Sequence, residues 1–318
     1  MDKMVSFSVI TPVYNREDCI GRCIESVANQ DYPYLEMLIV DDASVDNTAS
    51  VIESLTRKYP FIRFYQFEDN QGVNAARNHA ISNSTGDYAI FLDSDDYFAD
   101  NALHFINRTI TENPGYQHYL FSQDDRMDYY NSHPSLYNRI TELHFEDFLT
   151  GKVSGDFAHV ISRPLLQSFP FNEQLRIYEY INFLKLYREE KRQLFIKEIV
   201  VLRERNRFDS VTKTSQLNNR KSLNNQYIAL KESLNLFAAD YLNLSAYDSL
   251  GSHIRRQYLL GVALGLYHEN RTLEAFAKEN KVTTPFFYRI LSRLKLGFFL
   301  KIAIFAFSAI KNYFKKSE

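Results

Sequence analysis

Two hydrophobic periods alternate through the first hundred residues. Phe7-Ser8-Val9-Ile10 reads as a buried strand, and Cys19, Ile20, Cys23, Ile24 and Val27 recur at the spacing of an amphipathic helix over Cys19 to Asn29. Leu35 to Val40 is a second apolar strand. A helix follows over Thr48 to Lys58, with Asp46, Asn47 or Thr48 available as its cap. Arg63 to Phe67 predicts a third strand, Gly72 to Ser82 a third helix, and Tyr88 to Leu92 a fourth strand that is apolar on both faces. The order β-α-β-α-β-α-β predicts an α/β, Rossmann-like fold: a mainly parallel sheet with helices on both faces.

From about Tyr97 the pattern loosens into polar and aromatic stretches. Helices are predicted near Asn101 to Glu112, Phe145 to Leu149 and Tyr178 to Lys191, and a strand at Phe195 to Leu202. Beyond Lys221 the chain reads as all-helical, because Leu223, Tyr227, Leu230, Leu234, Phe237 and Tyr241 recur at three and four. The expected division is therefore 1–100, 101–220 and 221–318, the last a C-terminal helical region.

Composition narrows the function. Lys and Arg number 37 against 39 Asp and Glu, so no global basic field exists to hold nucleic acid by phosphate neutralisation. The two cysteines, Cys19 and Cys23, are too few for a four-ligand zinc site or a disulfide scaffold and fit a reducing compartment. Met1 to Phe7 holds no apolar signal core, so a cytoplasmic start is expected. The histidines show no metal-ligand spacing, and His159 reads as an ordinary residue. The rings of Tyr129, Tyr130, Phe169 and Phe171 suit either acceptor sugars or a core.

In an open parallel sheet, ligands bind beyond the carboxyl ends of the strands. Here those ends read Thr11-Pro12-Val13-Tyr14-Asn15, Asp41-Asp42-Ala43-Ser44 and Asp93-Ser94-Asp95-Asp96. Five carboxylates at one edge repel one another unless a cation sits among them, and a divalent metal with a diphosphate answers that need. Turn and helix capping is the alternative for any one pair. Asp93 and Asp95, at i and i+2 after a strand, project to the same side, where one can hold a hard cation and the other reach a ribose. Neither G-x-G-x-x-G nor a P-loop motif occurs.

With these residues quoted, the chain resembles the family 2 glycosyltransferases, inverting enzymes of the GT-A fold. The resemblance also rests on Asn70-Gln71-Gly72, Ala76-Arg77-Asn78 and Gly86-Asp87, in order and spacing. It implies a nucleotide-sugar donor, a UDP-sugar, with Mn²⁺ or Mg²⁺ as cofactor. By resemblance, Thr11, Pro12 and Tyr14 line the base and ribose pocket, Asp42 accepts from the base N–H, and Arg77 contacts the nucleotide. Asp93, with Ser94, faces the ribose, and Asp95 binds the metal. The expected acceptor is a glycan or a lipid-linked saccharide in bacterial surface polysaccharide assembly.

Inverting transfer needs a base on the acceptor side. Phe171 to Phe183 resembles the family's base-bearing helix start, and Ser210-Val211-Thr212 its closing loop, but Tyr180 stands where the family's catalytic Asp is expected. Glu179 is the first candidate for the base and Asp156 the second. A catalytically silent GT-A protein that binds nucleotide or glycan as an assembly partner is the rival reading. A nucleotidyltransferase would want a Gly-rich basic signature that Thr11 to Arg16 lacks.

Leu296 to Ile310 is a fifteen-residue apolar run with one Lys, shorter than the ~20 residues a spanning helix needs. From Thr284 onward seven cations face one anion. Such a helix suits the interface of an anionic membrane, and a terminal helix docked on the core is the alternative. The expected location is peripheral, on the inner face of the cell membrane.

Overall fold

The structure, a computed structural model, describes residues 4–175, 178–204, 219–283, 286–298 and 300–302. Its chain divides into two compact units, Met1–Phe148 with Lys152–Asn206, and Leu149–Gly151 with Arg207–Glu318.

The first unit opens with β1 (Phe7–Val13), α1 (Ile20–Ala28), β2 (Leu35–Asp41), α2 (Thr48–Thr56), β3 (Ile62–Gln66), α3 (Val73–Asn83) and β4 (Tyr88–Phe91). This is the alternation read from the sequence. β1 pairs in parallel with β2 and with β4, and β2 with β3, giving the order β3-β2-β1-β4. Strand side chains alternate between faces. Phe7, Val9 and Val13 therefore enter one core with Ile20, Cys23, Ile24 and Ile52, while Ile10 enters the other with Ala76, Ala80, Leu165 and Leu186. Helices cover both faces, as the periodicity predicted.

Gly86 sets up β4. A Cβ on it would lie 2.7 Å from the Ser8 backbone nitrogen, so only glycine lets this turn close on β1. Its N–H donates to Ser8 Oγ at 2.9 Å, and Asp87 Oδ2 accepts from the Ser6 N–H at 2.8 Å.

The unit continues through β5 (Tyr97–Phe98), α4 (Ala102–Glu112), β6 (His118–Gln123), α5 (Met127–Ser132), β7 (Ile140–His144), α6 (Phe145–Leu149), β8 (Ala158–Ser162), α7 (Arg163–Ser168), α8 (Tyr180–Glu190) and β9 (Arg192–Leu202). β8 joins β4 antiparallel and β6 joins β8 antiparallel, then β6 runs parallel to β9, which carries β5 and β7 antiparallel. The sequence reading had not placed β5 to β8. β6 and β8 are buried throughout but carry His118, Ser122, His159 and Ser162 at buried positions, and these polar residues break the apolar run.

The second unit is helical: α9 (Arg220–Asn243), α10 (Tyr247–Leu264), α11 (Tyr267–Glu279) and α12 (Phe286–Arg293). Asn219 and Ser222 close a capping box at the start of α9, the Asn219 side chain accepting from the Ser222 N–H at 2.9 Å. The predicted stripe of α9, from Leu223 to Tyr241, is buried apart from its solvent-facing intervals. Among the described residues no helix is long and apolar enough to cross a membrane. Most of the predicted Leu296 to Ile310 segment, and the Ser210-Val211-Thr212 loop, lie outside the described residues.

Candidate active site

Each sequence-predicted residue of the first hundred stands at or beside the carboxyl edge of β1, β2 and β4. Thr11 and Pro12 close β1 and are buried, the Thr11 Oγ1 with no hydrogen-bond partner. Tyr14 follows them and is exposed. The chain then turns through Asn15 at φ 51°, in the left-handed region where Asn is tolerated. Asn15 laces this loop to the next: its N–H donates to Ser44 Oγ at 2.8 Å, and its Oδ1 accepts from the Val45 N–H at 2.9 Å.

The two carboxylates after β2 do turn and cap chemistry. Asp41 Oδ1 accepts from the Ser44 N–H at 3.1 Å and Oδ2 from Gln66 Nε2 at 3.1 Å. Asp42 Oδ1 and Oδ2 accept from the Gln71 and Gly72 N–H groups at 2.6 and 2.8 Å, fixing the entry to α3.

After β4, burial alternates residue by residue: Ser94 and Asp96 are buried, Asp93 and Asp95 partly open. Asp93 to Asp96 form a tight turn closed by the Asp96 N–H on the Asp93 carbonyl at 2.9 Å, with Asp93 and Asp95 both partly open. Arg77 of α3 meets them from the helix. Its Nη2 lies 3.2 Å from Asp93 Oδ1, its Nη1 lies 3.9 Å from Glu179 Oε2, and its Cζ stands 5.7 Å from the ring centres of both Phe91 and Phe171. Only 7% of Arg77 is exposed, and its Nε and Nη1 have no hydrogen-bond partner. Glu179, part exposed, sits at the N-cap position of α8, and Tyr180 is the first residue of that helix. Phe171 and Tyr130 are core residues, which settles their alternative of free stacking surfaces.

Arginines that carry no sequence pattern complete the edge. Arg16 Nε lies 3.8 Å from Asp95 Oδ2, and Arg22 donates to the Asp95 carbonyl at 3.4 Å, pairs with Glu204 and covers the Tyr97 ring at 4.3 Å. Arg203, just past β9, gathers Asp96, Asp125 and Asp156 at 3.7, 3.7 and 3.2 Å. Asp156, the second candidate base, is also held by Arg126 at 3.1 Å. Burial first, then the neighbouring Asp93 and Asp95 charges, push the Asp96 carboxyl up to about 8 against the pull of Arg203. Cys23 is buried on the α1 face, its thiol 3.7 Å from the Asp93 carbonyl, and burial pushes that thiol up, away from reactivity.

A divalent cation fits this donor set in part. The oxygens of Asp93 and Asp95 are hard ligands suited to Mg²⁺ or Mn²⁺. Among the described residues no three His, Cys, Asp or Glu side chains are arranged to hold a metal ion. A cation at Asp95 therefore needs oxygens from a bound diphosphate or water to complete its shell.

Sheet order and strand-end chemistry define an α/β protein of the GT-A type. The profile described as Glycosyl transferase family 2 matches residues 8–167, half of the chain, and the chain belongs to that family. It is 31% identical over 192 residues to the GalNAc(5)-diNAcBac-PP-undecaprenol beta-1,3-glucosyltransferase of Campylobacter jejuni, a match covering 59% of this chain and 61% of that relative. The chain thus spans about three fifths of the length of this curated relative. In fold it is similar to Staphylococcus aureus TarS 1-349 in complex with UDP-GlcNAc, with a TM-score of 0.61 at 20% identity, covering 91% of this chain and 90% of that one. It is also similar to the mannosyltransferase PcManGT of Pyrobaculum calidifontis in complex with GDP-Man and Mn²⁺, with a TM-score of 0.57 at 17% identity, covering 96% and 88%.

Proposed function

We propose that this protein transfers a sugar from a nucleotide-sugar donor, a UDP-sugar, to a glycan or lipid-linked saccharide, with inversion, in bacterial cell-surface polysaccharide biosynthesis. The observation that carries the reading is Arg77, a buried guanidinium with unmet donors that lies 3.2 Å from Asp93 and 3.9 Å from Glu179. Buried donors without partners want acceptor oxygens, and phosphate or ribose supplies them. Family membership, the undecaprenol-linked name of the Campylobacter relative and the UDP-GlcNAc complex of the TarS fold support the same chemistry.

In this reading Thr11, Pro12 and Tyr14 surround the base and ribose, and Asp42 accepts from the base N–H. Asp93 and Ser94 face the ribose, Arg77 steadies the nucleotide, and Asp95 would hold Mn²⁺ or Mg²⁺. Such a cation supplies Lewis-acid stabilisation of the departing diphosphate. Glu179 takes the proton from the attacking acceptor hydroxyl. Asp156, bound by two guanidiniums, serves the scaffold. The enzyme would work peripherally, at the cytoplasmic membrane face where lipid-linked acceptors lie.

The test is a panel of nucleotide sugars incubated with purified protein and Mn²⁺, scored for release of the nucleoside diphosphate. Release from a UDP-sugar supports the proposal. Tight nucleotide binding with no release from any donor would favour the catalytically silent reading that Tyr180 raises.

A further inference from the structure

The end of the second unit presents an apolar, cationic face. Phe286, Phe287, Leu294, Phe298 and Ile302 are between 50% and 69% exposed, far beyond what isolated surface hydrophobics need. From Phe286 to Ile302 the chain carries Arg289, Arg293, Lys295 and Lys301 and no acid, although the whole chain is net −2. The Arg289 guanidinium lies 5.8 Å from the Phe286 ring centre, so charge and apolar surface are interleaved.

This exposure is built into the backbone. α12 ends where the Leu296 N–H returns to the Leu291 carbonyl at 2.9 Å and the Lys295 N–H to the Ser292 carbonyl at 3.2 Å, with Lys295 at φ 56°. That left-handed cap normally takes glycine, and here it places an ammonium at the turn. The next residue but one is pinned: a Cβ on Gly297 would lie 1.9 Å from the Val262 carbonyl oxygen, and the Gly297 N–H donates to Tyr267 Oη at 3.2 Å. The backbone at Gly297 is thus packed against α10 and α11 while Phe298 beside it faces out.

We propose that this face, formed by Phe286, Phe287, Leu294, Phe298 and Ile302 with the cations among them, is a docking surface for an anionic lipid bilayer. Aromatic and aliphatic side chains enter the acyl boundary while Arg and Lys meet the headgroups. Charge selects lipid over a second copy of the chain, because a twofold contact through this face would set its cations against their own images. The proposal deepens the proposed function by giving the surface that would bring the enzyme to a lipid-linked acceptor, and it rests on that reading only for this purpose.

The experiment is flotation of the full chain with vesicles of phosphatidylcholine alone or with about a third phosphatidylglycerol, at low and high salt. The expected result is at least tenfold more protein on anionic than on neutral vesicles, with only part of it released by salt, since apolar insertion is not screened. Phe286→Ser/Phe287→Ser/Phe298→Ser, at exposed positions, should lower binding at least fivefold with an unchanged circular dichroism spectrum. Lys295→Gln with Arg293→Gln, which leaves Arg289 and Lys301, should about halve the salt-sensitive part. Absence of wild-type binding to anionic vesicles, or wild-type binding by the triple serine variant, overturns the proposal. So does a wild-type dimer in sedimentation that the triple variant dissolves, since the face would then be a contact between copies. Donor hydrolysis measured without vesicles reports separately on the proposed function: its failure alongside intact vesicle binding would leave the docking surface standing.

Discussion

Arg77 Nη2 and Asp93 Oδ1 stand 3.2 Å apart, and that contact ties α3 to the end of β4. The same guanidinium has its Cζ 5.7 Å from the ring centres of both Phe91 and Phe171 and its Nη1 3.9 Å from Glu179 Oε2. One buried cation thereby approaches both the Asp93 and the Glu179 carboxylates.

Arg77→Lys keeps the charge but loses the planar fork and its spare donors. UDP affinity measured by calorimetry is expected to fall about tenfold, or ~1.4 kcal/mol, with folding retained. Unchanged affinity would place the nucleotide elsewhere.

Glu179→Gln removes the proton acceptor while keeping the shape of the side chain. Donor turnover is expected to drop by ~10²-fold or more, with UDP affinity changed by less than about twofold. If Asp156→Asn gives the larger loss instead, the base is Asp156 and the Arg126 and Arg203 contacts orient it.

His118 Nε2 and His159 Nδ1 lie 3.0 Å apart in the core, and His159 stacks on Phe183 at 3.8 Å. Burial pulls His118 well below the ordinary histidine value and His159 down to about 3. Both stay neutral in the folded protein, so below about pH 6.5 the unfolded chain binds more protons. Their contribution is complete above that pH and is lost as the pH falls toward the folded values. The slope is at most about 1.4 kcal/mol per pH unit for each histidine. The urea midpoint should be flat from about pH 8 to 7 and fall toward pH 5, and His118→Gln/His159→Gln should flatten that fall. A wild-type midpoint unchanged at pH 5 would contradict it.

Gly86→Ala would press a methyl group onto the Ser8 backbone, which cannot move without shifting β1. A loss of about 1–3 kcal/mol is expected from chemical denaturation, the cost of overpacking at a rigid site. Wild-type stability would show that the turn can relax.

Much of the donor half was legible because each parallel strand is apolar on both faces and each helix carries one stripe. Ser8 was no obstacle there, since Val9 and Ile10 carry the signal past it. In β6 and β8 the buried letters include His118 and His159, whose ring nitrogens Nε2 and Nδ1 pair only once the strands are neighbours. No local pattern announces that partnership. Asp93 and Asp95 were readable from their place just past a strand that is apolar on both faces. Asp41 and Asp42 looked equivalent to them, yet their oxygens are engaged by Ser44 of their own loop, by Gln66 at the end of β3, and by Gln71 and Gly72 in the loop after it. Arg203 was invisible because a single Arg after a strand has no periodicity, and its carboxylate partners come from three distant stretches of chain.

The most direct test compares UDP release from a UDP-sugar by the wild type, Asp95→Ala and Glu179→Gln, each with Mn²⁺ and with EDTA. The expected result is metal-dependent release by the wild type and its loss in EDTA and in both variants, with all three proteins folded. Full wild-type release in EDTA, or undiminished release by Asp95→Ala, would contradict the assignment of this strand edge as the catalytic site.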